Sequence, residues 1–231
     1  MNLPTITKSI LAALIASNFF LIQGAMAANP YAGLYDVIDP PVKTATPDKV
    51  EVVKLFWYTC PHCYSFEKRY LKAWRENKPD YVVFTHMPAV FDLNGRGTPL
   101  AKAYYVAKEL KILEKIHTPL FKKIHNKHRQ MNTKKAIRRF FVKYGGVSEQ
   151  DFDETYNNSF SVDRNMRQAK EKTKKYGVGS VPTVIVNGKY RLNSRKAKGY
   201  KNMMAVIKYL VEEEYKLISA KKESAKESAE K

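Results

Sequence analysis

Cysteine is scarce in this sequence: among 231 residues there are only Cys60 and Cys63, so no network of structural disulfides can form. A structural zinc site needs four ligands, and the chain has no second cysteine pair to complete one. Histidines remain as a metal-binding alternative, because His125 and His128 are spaced by one helical turn. A purely structural Cys60–Cys63 disulfide is disfavoured, since closing so short a loop removes little entropy from the unfolded chain. Redox chemistry without a metal ion is the favoured interpretation.

Long apolar runs are also scarce, and the one that is present lies at the N-terminus. Residues 1–27 combine a single basic residue, Lys8, an apolar core at residues 10–22 and a small-x-small cleavage site at residues 25–27. This core is too short to span a bilayer comfortably, and no other stretch is uniformly apolar over about 20 residues. The pattern predicts a cleaved secretory signal peptide. In an oxidising compartment, a Cys-x-x-Cys pair indicates a protein that makes or reshuffles disulfides.

Acidic residues are few: 22 Asp and Glu stand against 41 Lys and Arg, which gives a formal charge of +19. Removal of the signal peptide takes away one positive charge, Lys8, and leaves +18. A solvated, basic exported protein is the simplest interpretation. The alternative is a weak attraction to anionic membrane surfaces or acidic partners, since residues 111–143 are rich in Lys and Arg. No nucleic-acid partner is expected, because export removes the usual ligand and no recognition motif is present.

The two cysteines lie where a predicted strand is followed by a predicted helix. Residues 50–58 are apolar and rich in β-branched and aromatic side chains, which predicts a buried strand. Residues 64–77 have apolar side chains at helical spacing, so Cys60 is expected at the helix N-terminus. The free N–H groups and the positive dipole end of that helix would point at the Cys60 sulfur. Such a site favours the thiolate over the thiol.

Strand signals return on either side of a long helical block. Residues 81–86 predict a second strand, and Asn187-Gly188 between two strand-like runs predicts a type I′ hairpin. The helices are predicted at residues 99–111, 113–126, 133–144, 148–156, 162–176 and 199–217. The predicted organisation is a signal peptide at 1–27, an extended proline-rich arm at 28–46, a first α/β part at 47–93, a helical insertion at 94–170, a second α/β part at 171–218 and a flexible charged tail at 219–231.

Three sequence blocks, in a fixed order, carry a family resemblance: residues 56–67, residues 177–183 and residues 186–190. Together they resemble the DsbA family of periplasmic thiol:disulfide oxidoreductases over most of the mature chain. The resemblance implies a thioredoxin-like α/β fold interrupted by an all-helical insertion, with residues 47–93 and 171–218 as the two parts of the thioredoxin-like domain. The Pro61-His62 dipeptide resembles the oxidase branch, whereas thioredoxin-like reductases more often carry Gly-Pro there.

The resemblance also implies roles within the motif. Cys60, the more exposed thiol, would be the nucleophile or, in the oxidised protein, the sulfur that a substrate thiolate attacks. Cys63, one helical turn later and more buried, would resolve the mixed disulfide. His62 would hydrogen-bond to the Cys60 thiolate or, when protonated, face it and add to the effect of the helix dipole.

Substrate binding is implied beside the motif. Val181-Pro182 resembles the cis-proline loop of thioredoxin folds, which lies next to the cysteines and pairs its backbone with substrate, and Pro61 is expected to border the same surface. No cofactor is implied besides the Cys60–Cys63 disulfide. The expected partners are unfolded or newly exported cysteine-containing proteins and a DsbB-like, quinone-linked membrane oxidase.

One residue departs from the family pattern. DsbA-like proteins commonly have a Glu on the first strand, six residues before the nucleophilic cysteine, paired with a Lys on the next strand. Here the first position is Lys54, and the second strand offers Phe84 and Thr85 but no lysine. Desolvated beneath the active site, Lys54 would lower the pKa of the thiols or act as a base. The alternative is that Lys54 reaches solvent and leaves the thiols unaffected.

Two other functions are compatible with the fold. A disulfide isomerase or reductase, kept reduced by a partner, would use the same residues at a different redox potential, although the short N-terminal arm offers no dimerisation domain. A non-catalytic surface interaction protein that retains the fold is the second alternative. It would predict loss of thiol reactivity, and the intact Cys60-Pro61-His62-Cys63 motif argues against it.

Overall fold

The computed structural model describes residues 29–95 and 97–229, so the predicted signal peptide at residues 1–27 lies outside the described part. Residues 29–32 belong to an N-terminal unit and form a turn. The chain from Gly33 onward is a second unit, which contains both cysteines. No helix in the described ranges combines the length and the apolar character that a membrane crossing requires.

A five-stranded mixed sheet is the centre of the second unit. The strands are β1 (Asp36–Val37), β2 (Val50–Phe56), β3 (Val82–Pro88), β4 (Thr183–Val186) and β5 (Tyr190–Asn193). They lie in the order β1-β5-β4-β2-β3, with β2 and β3 parallel and the other neighbouring pairs antiparallel. Because β2 has neighbours on both sides, all of its residues except Glu51 are buried. The helical segment after Cys60 provides the crossover that the parallel pair requires.

Eight α-helices occur in the described residues: α1 (Pro61–Phe66), α2 (Lys72–Glu76), α3 (Thr98–Glu109), α4 (Leu113–His125), α5 (Lys134–Phe140), α6 (Glu149–Asn158), α7 (Phe160–Lys175) and α8 (Tyr200–Ala229). π-helical turns at Glu67–Leu71 and Phe141–Gly145 continue α1 and α5. Helices α3 to α7 pack against one another through buried apolar side chains such as Leu100, Ile116 and Phe152. The five helices predicted in this block are confirmed.

The last helix is longer than predicted. A helix end at residue 217 is wrong, because α8 continues without a break to Ala229. The flexibility of residues 219–231 stays a prediction. The tail consists of Ser, Ala, Lys and Glu without Gly or Pro, and Ala, Lys and Glu are strong helix formers. An ion pair also connects this segment to the rest of the unit, with the Lys222 ammonium 3.1 Å from the Asp48 carboxylate.

The N-terminal arm contains a strand that the prediction of an extended arm at residues 28–46 omitted. In β1, Asp36 lies opposite Arg191 of β5 and Val37 lies opposite Tyr190. The Arg191 guanidinium also donates a hydrogen bond to the Asp36 carboxylate at 3.2 Å. A strand of two residues is too short to produce an alternating pattern, so the sequence had no periodicity from which to predict it.

The hairpin between β4 and β5 is confirmed. Asn187 and Gly188 have φ values of 50° and 66°, and a type I′ turn needs positive φ at both positions. The turn contacts the arm, because the backbone N–H of Val42 donates to the Gly188 carbonyl at 2.9 Å. A Cβ atom at Gly188 would overlap the carbonyl oxygen of Val42. Glycine is therefore required here both for its backbone conformation and for its small size.

We expect Gly188→Ala to lower the free energy of unfolding more than Gly146→Ala does. Gly146 also has positive φ, but a Cβ atom there would meet no atom within 4 Å. The control should lose about 1 to 2 kcal/mol for its left-handed backbone, and Gly188→Ala should lose about 1 to 3 kcal/mol more through overpacking. Chemical denaturation measures both values. Equal losses would contradict the steric argument.

Candidate active site

Cys60 lies where the loop after β2 turns into α1. Its backbone is extended, with φ −83° and ψ 114°, and it is the N-cap residue of α1, with Pro61 in the first turn. Proline suits this position because the first turn has no intrahelical partner for its missing N–H. The Cys60 sulfur accepts a hydrogen bond from the backbone N–H of Cys63 at 3.3 Å. A sulfur thus takes the capping role that a serine or aspartate oxygen usually has.

The two thiols differ in burial and in acidity. Both are free, but Cys63 is fully buried and Cys60 is partly exposed. A hydrogen bond from the Cys63 side chain, the backbone N–H groups of Cys63 and His62 and the charge of His62 lower the pKa of Cys60 to about 6, although burial acts in the opposite direction. Burial raises the pKa of Cys63 far above that of an ordinary thiol. Cys60 is therefore the accessible thiolate near neutral pH.

The loop before β4 lies against Cys60. The Val181–Pro182 peptide bond is cis, as predicted, and the Cys60 thiol donates to the Val181 carbonyl at 3.5 Å. A cavity of about 600 Å³ opens beside it, which we call the Cys60 groove. Its lining residues include His62, Val181, Pro182, Arg195 and Tyr200. The fold thus brings three of the residues predicted from the sequence to one side of the reactive sulfur.

Tyr200 is a part of this groove that the sequence reasoning missed. Its hydroxyl lies 3.5 Å from the carbonyl oxygen of His62, at the limit of a hydrogen bond, and its ring stacks on Phe66 with centroids 5.0 Å apart. The contact forms only because the first turn of α8 packs beside the active-site helix. A single tyrosine at the start of a distant amphipathic helix gives no signal of this role.

Lys54 is fully buried beneath the active-site helix, so the alternative in which it reaches solvent is wrong. Its ammonium lies 2.6 Å from Oε2 of Glu67 and 3.5 Å from the carbonyl oxygen of Cys63. The same carboxylate oxygen lies 2.9 Å from Nε2 of His86 on β3. Lys54 on β2 is therefore paired with Glu67, which follows α1. The family pattern places the partner of this strand residue on the second strand and gives no indication of Glu67.

Comparisons with known proteins agree with this geometry. A thioredoxin family model matches residues 44–209. The thiol:disulfide interchange protein DsbA of Pseudomonas aeruginosa is 34% identical over 206 residues, which cover 89% of this chain and 95% of that protein. The DsbA of Pseudomonas syringae pv. tomato is 36% identical over 207 residues, which cover 89% of this chain and 94% of that protein. This chain belongs to the DsbA family.

Solved DsbA structures share the fold. The crystal structure of Pseudomonas aeruginosa DsbA matches with a TM-score of 0.74 at 34% identity, over 81% of this chain and 95% of that one. A Proteus mirabilis DsbA, solved with a non-covalently bound peptide, matches with a TM-score of 0.64 at 25% identity, over 78% of this chain and 96% of that one. The predicted thioredoxin-like α/β fold with a helical insertion is confirmed, and this DsbA protein is a thiol:disulfide oxidoreductase.

In this DsbA protein the Lys54–Glu67 pair is part of a larger buried cluster. The rings of His86 and His117 lie 4.4 Å apart, and the hydroxyl of Tyr58 lies 2.7 Å from Nδ1 of His117. Burial lowers the pKa of His86 to about 4 and that of His117 well below its ordinary range, so both are neutral at pH 7. Burial raises the pKa of Glu67, but the hydrogen bond to His86 and the Lys54 charge outweigh it and hold the pKa well below its usual range. The Lys54 ammonium therefore compensates the Glu67 carboxylate, and the half-buried Arg75 guanidinium lies 3.7 Å from the other carboxylate oxygen.

The carboxylate and two imidazoles of this cluster have ligand atoms within 4.8 Å of one another, which is also the composition of a metal site. The Lys54 ammonium already lies against the Glu67 carboxylate and supplies the positive charge, so the arrangement favours an internal ion pair over a bound cation. In the described residues, His125 and His128 belong to no group of three potential ligands. Nε2 of His125 instead donates to the carbonyl of Tyr58 at 2.8 Å.

We expect the thiolate of Cys60 to form with a pKa of about 6, against about 8.5 for an ordinary thiol. Because this pKa is lower in the folded protein than in the unfolded chain, ionisation of Cys60 adds to the free energy of unfolding of the reduced protein. The contribution is complete above about pH 8.5, where the thiol of the unfolded chain is ionised as well. This contribution is lost as the pH falls through the folded-state value. The ultraviolet absorbance of the thiolate against pH, with Cys60→Ala as the blank, tests the expectation. A midpoint near that of an ordinary thiol would contradict the cap geometry as the source of the acidity.

We expect Lys54→Met to destabilise the protein by up to about 3 to 5 kcal/mol, because the buried Glu67 carboxylate loses its ammonium and keeps only the Arg75 guanidinium as a cationic partner, at 3.7 Å. The control is Lys72→Met, which breaks an exposed ion pair with Glu76 and should cost at most about 0.5 kcal/mol. Chemical denaturation at neutral pH measures both losses. Adding Glu67→Gln to Lys54→Met should restore part of the stability, and a double variant less stable than Lys54→Met would contradict the pairing.

Proposed function

We propose that this DsbA protein is an oxidase, which passes a Cys60–Cys63 disulfide to unfolded or newly exported cysteine-containing proteins in the periplasm. The capped Cys60 sulfur carries the proposal, because it has a lowered pKa and a fully buried partner thiol. A site that stabilises its thiolate stabilises the reduced protein and holds its disulfide loosely. Each pKa unit below the ambient pH favours the reduced form by about 1.4 kcal/mol, or about 30 mV for a two-electron couple.

The proposed exchange has two steps. A substrate thiolate first attacks Cys60 Sγ, the Cys60–Cys63 bond breaks, and the electron pair goes to the Cys63 sulfur, which takes up a proton because burial raises its pKa. A second substrate thiolate then attacks the substrate sulfur of the mixed disulfide, and Cys60 leaves as a thiolate. The substrate loses two electrons and two protons. The protein gains both electrons and one proton, and the solvent takes the other proton.

Substrate recognition is proposed to occur in the Cys60 groove. His62, Val181 and Pro182 line this groove, and Pro61 follows the reactive cysteine in the first turn of α1. An extended substrate segment would hydrogen-bond to the loop backbone beside the cis bond. The peptide complex of the Proteus mirabilis DsbA supports peptide binding by this fold.

Reoxidation is proposed to come from a DsbB-like, quinone-linked membrane oxidase, which would accept the two electrons that the cysteines gained. The predicted signal peptide supports a periplasmic location for both steps. No cofactor besides the Cys60–Cys63 disulfide is proposed. The basic charge, +18 after removal of the signal peptide with Lys8, would favour the approach to an anionic membrane.

Lys54 is proposed to have a smaller effect on the thiols than an unpaired ammonium would have. Its charge lowers the pKa of Cys63, but burial of that thiol outweighs the effect. Glu67, which lies 2.6 Å from the ammonium, offsets most of its field at Cys60. The hydrogen bond from the Cys63 side chain is therefore the proposed main source of the acidity of Cys60, followed by the backbone N–H groups at the helix terminus and the charge of His62.

We expect Cys63→Ala to accumulate mixed disulfides with periplasmic proteins, because its Cys60 thiolate can attack a disulfide of such a protein and release one protein thiolate, and no Cys63 thiol is present to attack Cys60 and free it. Cys60→Ala should accumulate none, since its remaining thiol is buried. Non-reducing electrophoresis distinguishes the two variants. Equilibration of the wild type with reduced and oxidised glutathione gives the reduction potential of the Cys60–Cys63 disulfide, and so whether the protein donates or accepts disulfides. A potential as low as about −270 mV, typical of thioredoxin, would overturn the oxidase assignment and favour the reductase or isomerase.

A further inference from the structure

A second cavity, which we call the α7 trough, lies along α7 and outside the Cys60 groove. It has a volume of about 530 Å³ and is lined by the loop after β3, one side of α7 and residues 177–178. An adjoining cavity of about 540 Å³, the Trp57 groove, is lined in part by Trp57 and Thr59. The two cavities share Val90 and Phe91, so they meet along the segment that follows β3.

Two aromatic rings are exposed where the cavities meet. Phe91 is 42% exposed and Trp57 is 36% exposed, and their rings pack edge to face with centroids 5.4 Å apart. Both are held by the backbone around them. Nε1 of Trp57 donates to the Ala89 carbonyl at 2.7 Å, and the N–H of Val90 donates to the hydroxyl of Thr173 on α7 at 3.2 Å. A rigid aromatic surface of this kind suits the binding of apolar side chains.

The α7 side of the trough is basic. Arg167, Lys170 and Lys174 are exposed there on successive turns, and none of them has a carboxylate partner within the described residues. The acid on the same side, Glu171, pairs with Lys175 at 2.7 Å. Three unpaired cations therefore lie beside the apolar lining residues Val90 and Phe91, and their positive charge makes the trough complementary to an acidic ligand.

The spacing of the cations matches an extended chain. Lys170 and Lys174 are four residues apart, so their positions differ by about 6 Å along the helix axis. Side chains on one face of an extended strand repeat about every 6.6 Å. Two acidic residues separated by a single residue would therefore reach one lysine each.

The cavities also connect to the reactive sulfur along the chain. Thr59, which lines the Trp57 groove, precedes Cys60, and Val178 of the trough precedes Gly179 of the Cys60 groove. A polypeptide whose cysteine reaches Cys60 can continue into the trough on this side.

The Trp57 groove also contains an acid, Asp92. Its carboxylate accepts a hydrogen bond from the backbone N–H of Asn94 at 3.1 Å.

We propose that the α7 trough binds an extended segment of the substrate protein in which acidic residues alternate, close to the reactive cysteine. An apolar residue of that segment packs on Trp57 and Phe91, and its acids pair with Lys170 and Lys174. The inference rests on the proposed oxidase function and adds to it a preferred class of substrate.

The test uses reduced peptides with two cysteines that differ only in a Glu-x-Glu or a Gln-x-Gln segment, placed before or after the cysteines. The oxidised full-length mature protein should oxidise the better-placed Glu-x-Glu peptide about 3 to 20 times faster in kcat/KM at low salt, as expected for two exposed ion pairs. Salt should weaken the preference. Lys170→Glu combined with Lys174→Glu should abolish it and should favour a Lys-x-Lys peptide instead.

The matched control is Lys221→Glu combined with Lys226→Glu, which changes the net charge equally on the exposed end of α8. Retention of the preference in this control supports the trough, whereas equal losses in both variants would reduce the effect to net charge and overturn the proposal. Equal rates for Glu-x-Glu and Gln-x-Gln peptides in the wild type would also overturn it. Oxidation of dithiothreitol is the separate check on the oxidase function, and it should be the same in all variants.

An anionic membrane is the other occupant that the experiment distinguishes. Vesicles that contain phosphatidylglycerol can be sedimented with the same variants. A loss of vesicle binding in Lys170→Glu combined with Lys174→Glu, without a loss of the peptide preference in kcat/KM, would assign these cations to the membrane and overturn the proposal.

Discussion

The buried contact between Lys54 and Glu67 is the constraint on which the active site depends. It joins the central strand to the end of the helix that carries both cysteines, and His86 extends it to the neighbouring strand. Neither charge is acceptable alone in the core, because an unpaired buried ion costs several kcal/mol. The helix is therefore held against the sheet at one angle and depth. That position fixes the Cys60 sulfur beside the Val181 carbonyl and keeps Cys63 away from solvent.

The part of the site that sequence could predict is the part that is local. Cys60, His62 and Cys63 lie within one helical turn, so the motif alone defines their relative positions and the capping role of the first sulfur. Glu67 and Tyr200 could not be predicted as site residues, because their contacts depend on how α1 and α8 pack against other elements. Their residue types carry no signal of those contacts.

The fold was predictable where a segment has its own periodicity or turn chemistry. The hairpin at Asn187-Gly188 and the five helices between β3 and β4 are of this kind. β1 was missed because its pairing with β5 is decided by the partner strand and not by its own two residues. The end of α8 was misplaced because a charged, low-complexity composition was taken as a sign of flexibility, although the same residues have high helix propensity.

The π-helical turn at Glu67–Leu71 makes the length of the active-site segment critical. Both Glu67 and Leu71 are buried, and the wider turn places them together on the inner side. The wider turn already accommodates one extra residue, and insertion of another one before Leu71 would rotate the chain beyond it by about 100°. Leu71 would then leave the core, and Trp74 would lose its contact with Phe84. Insertions are therefore expected to be tolerated at the exposed end of α8 but not between the cysteines and α2.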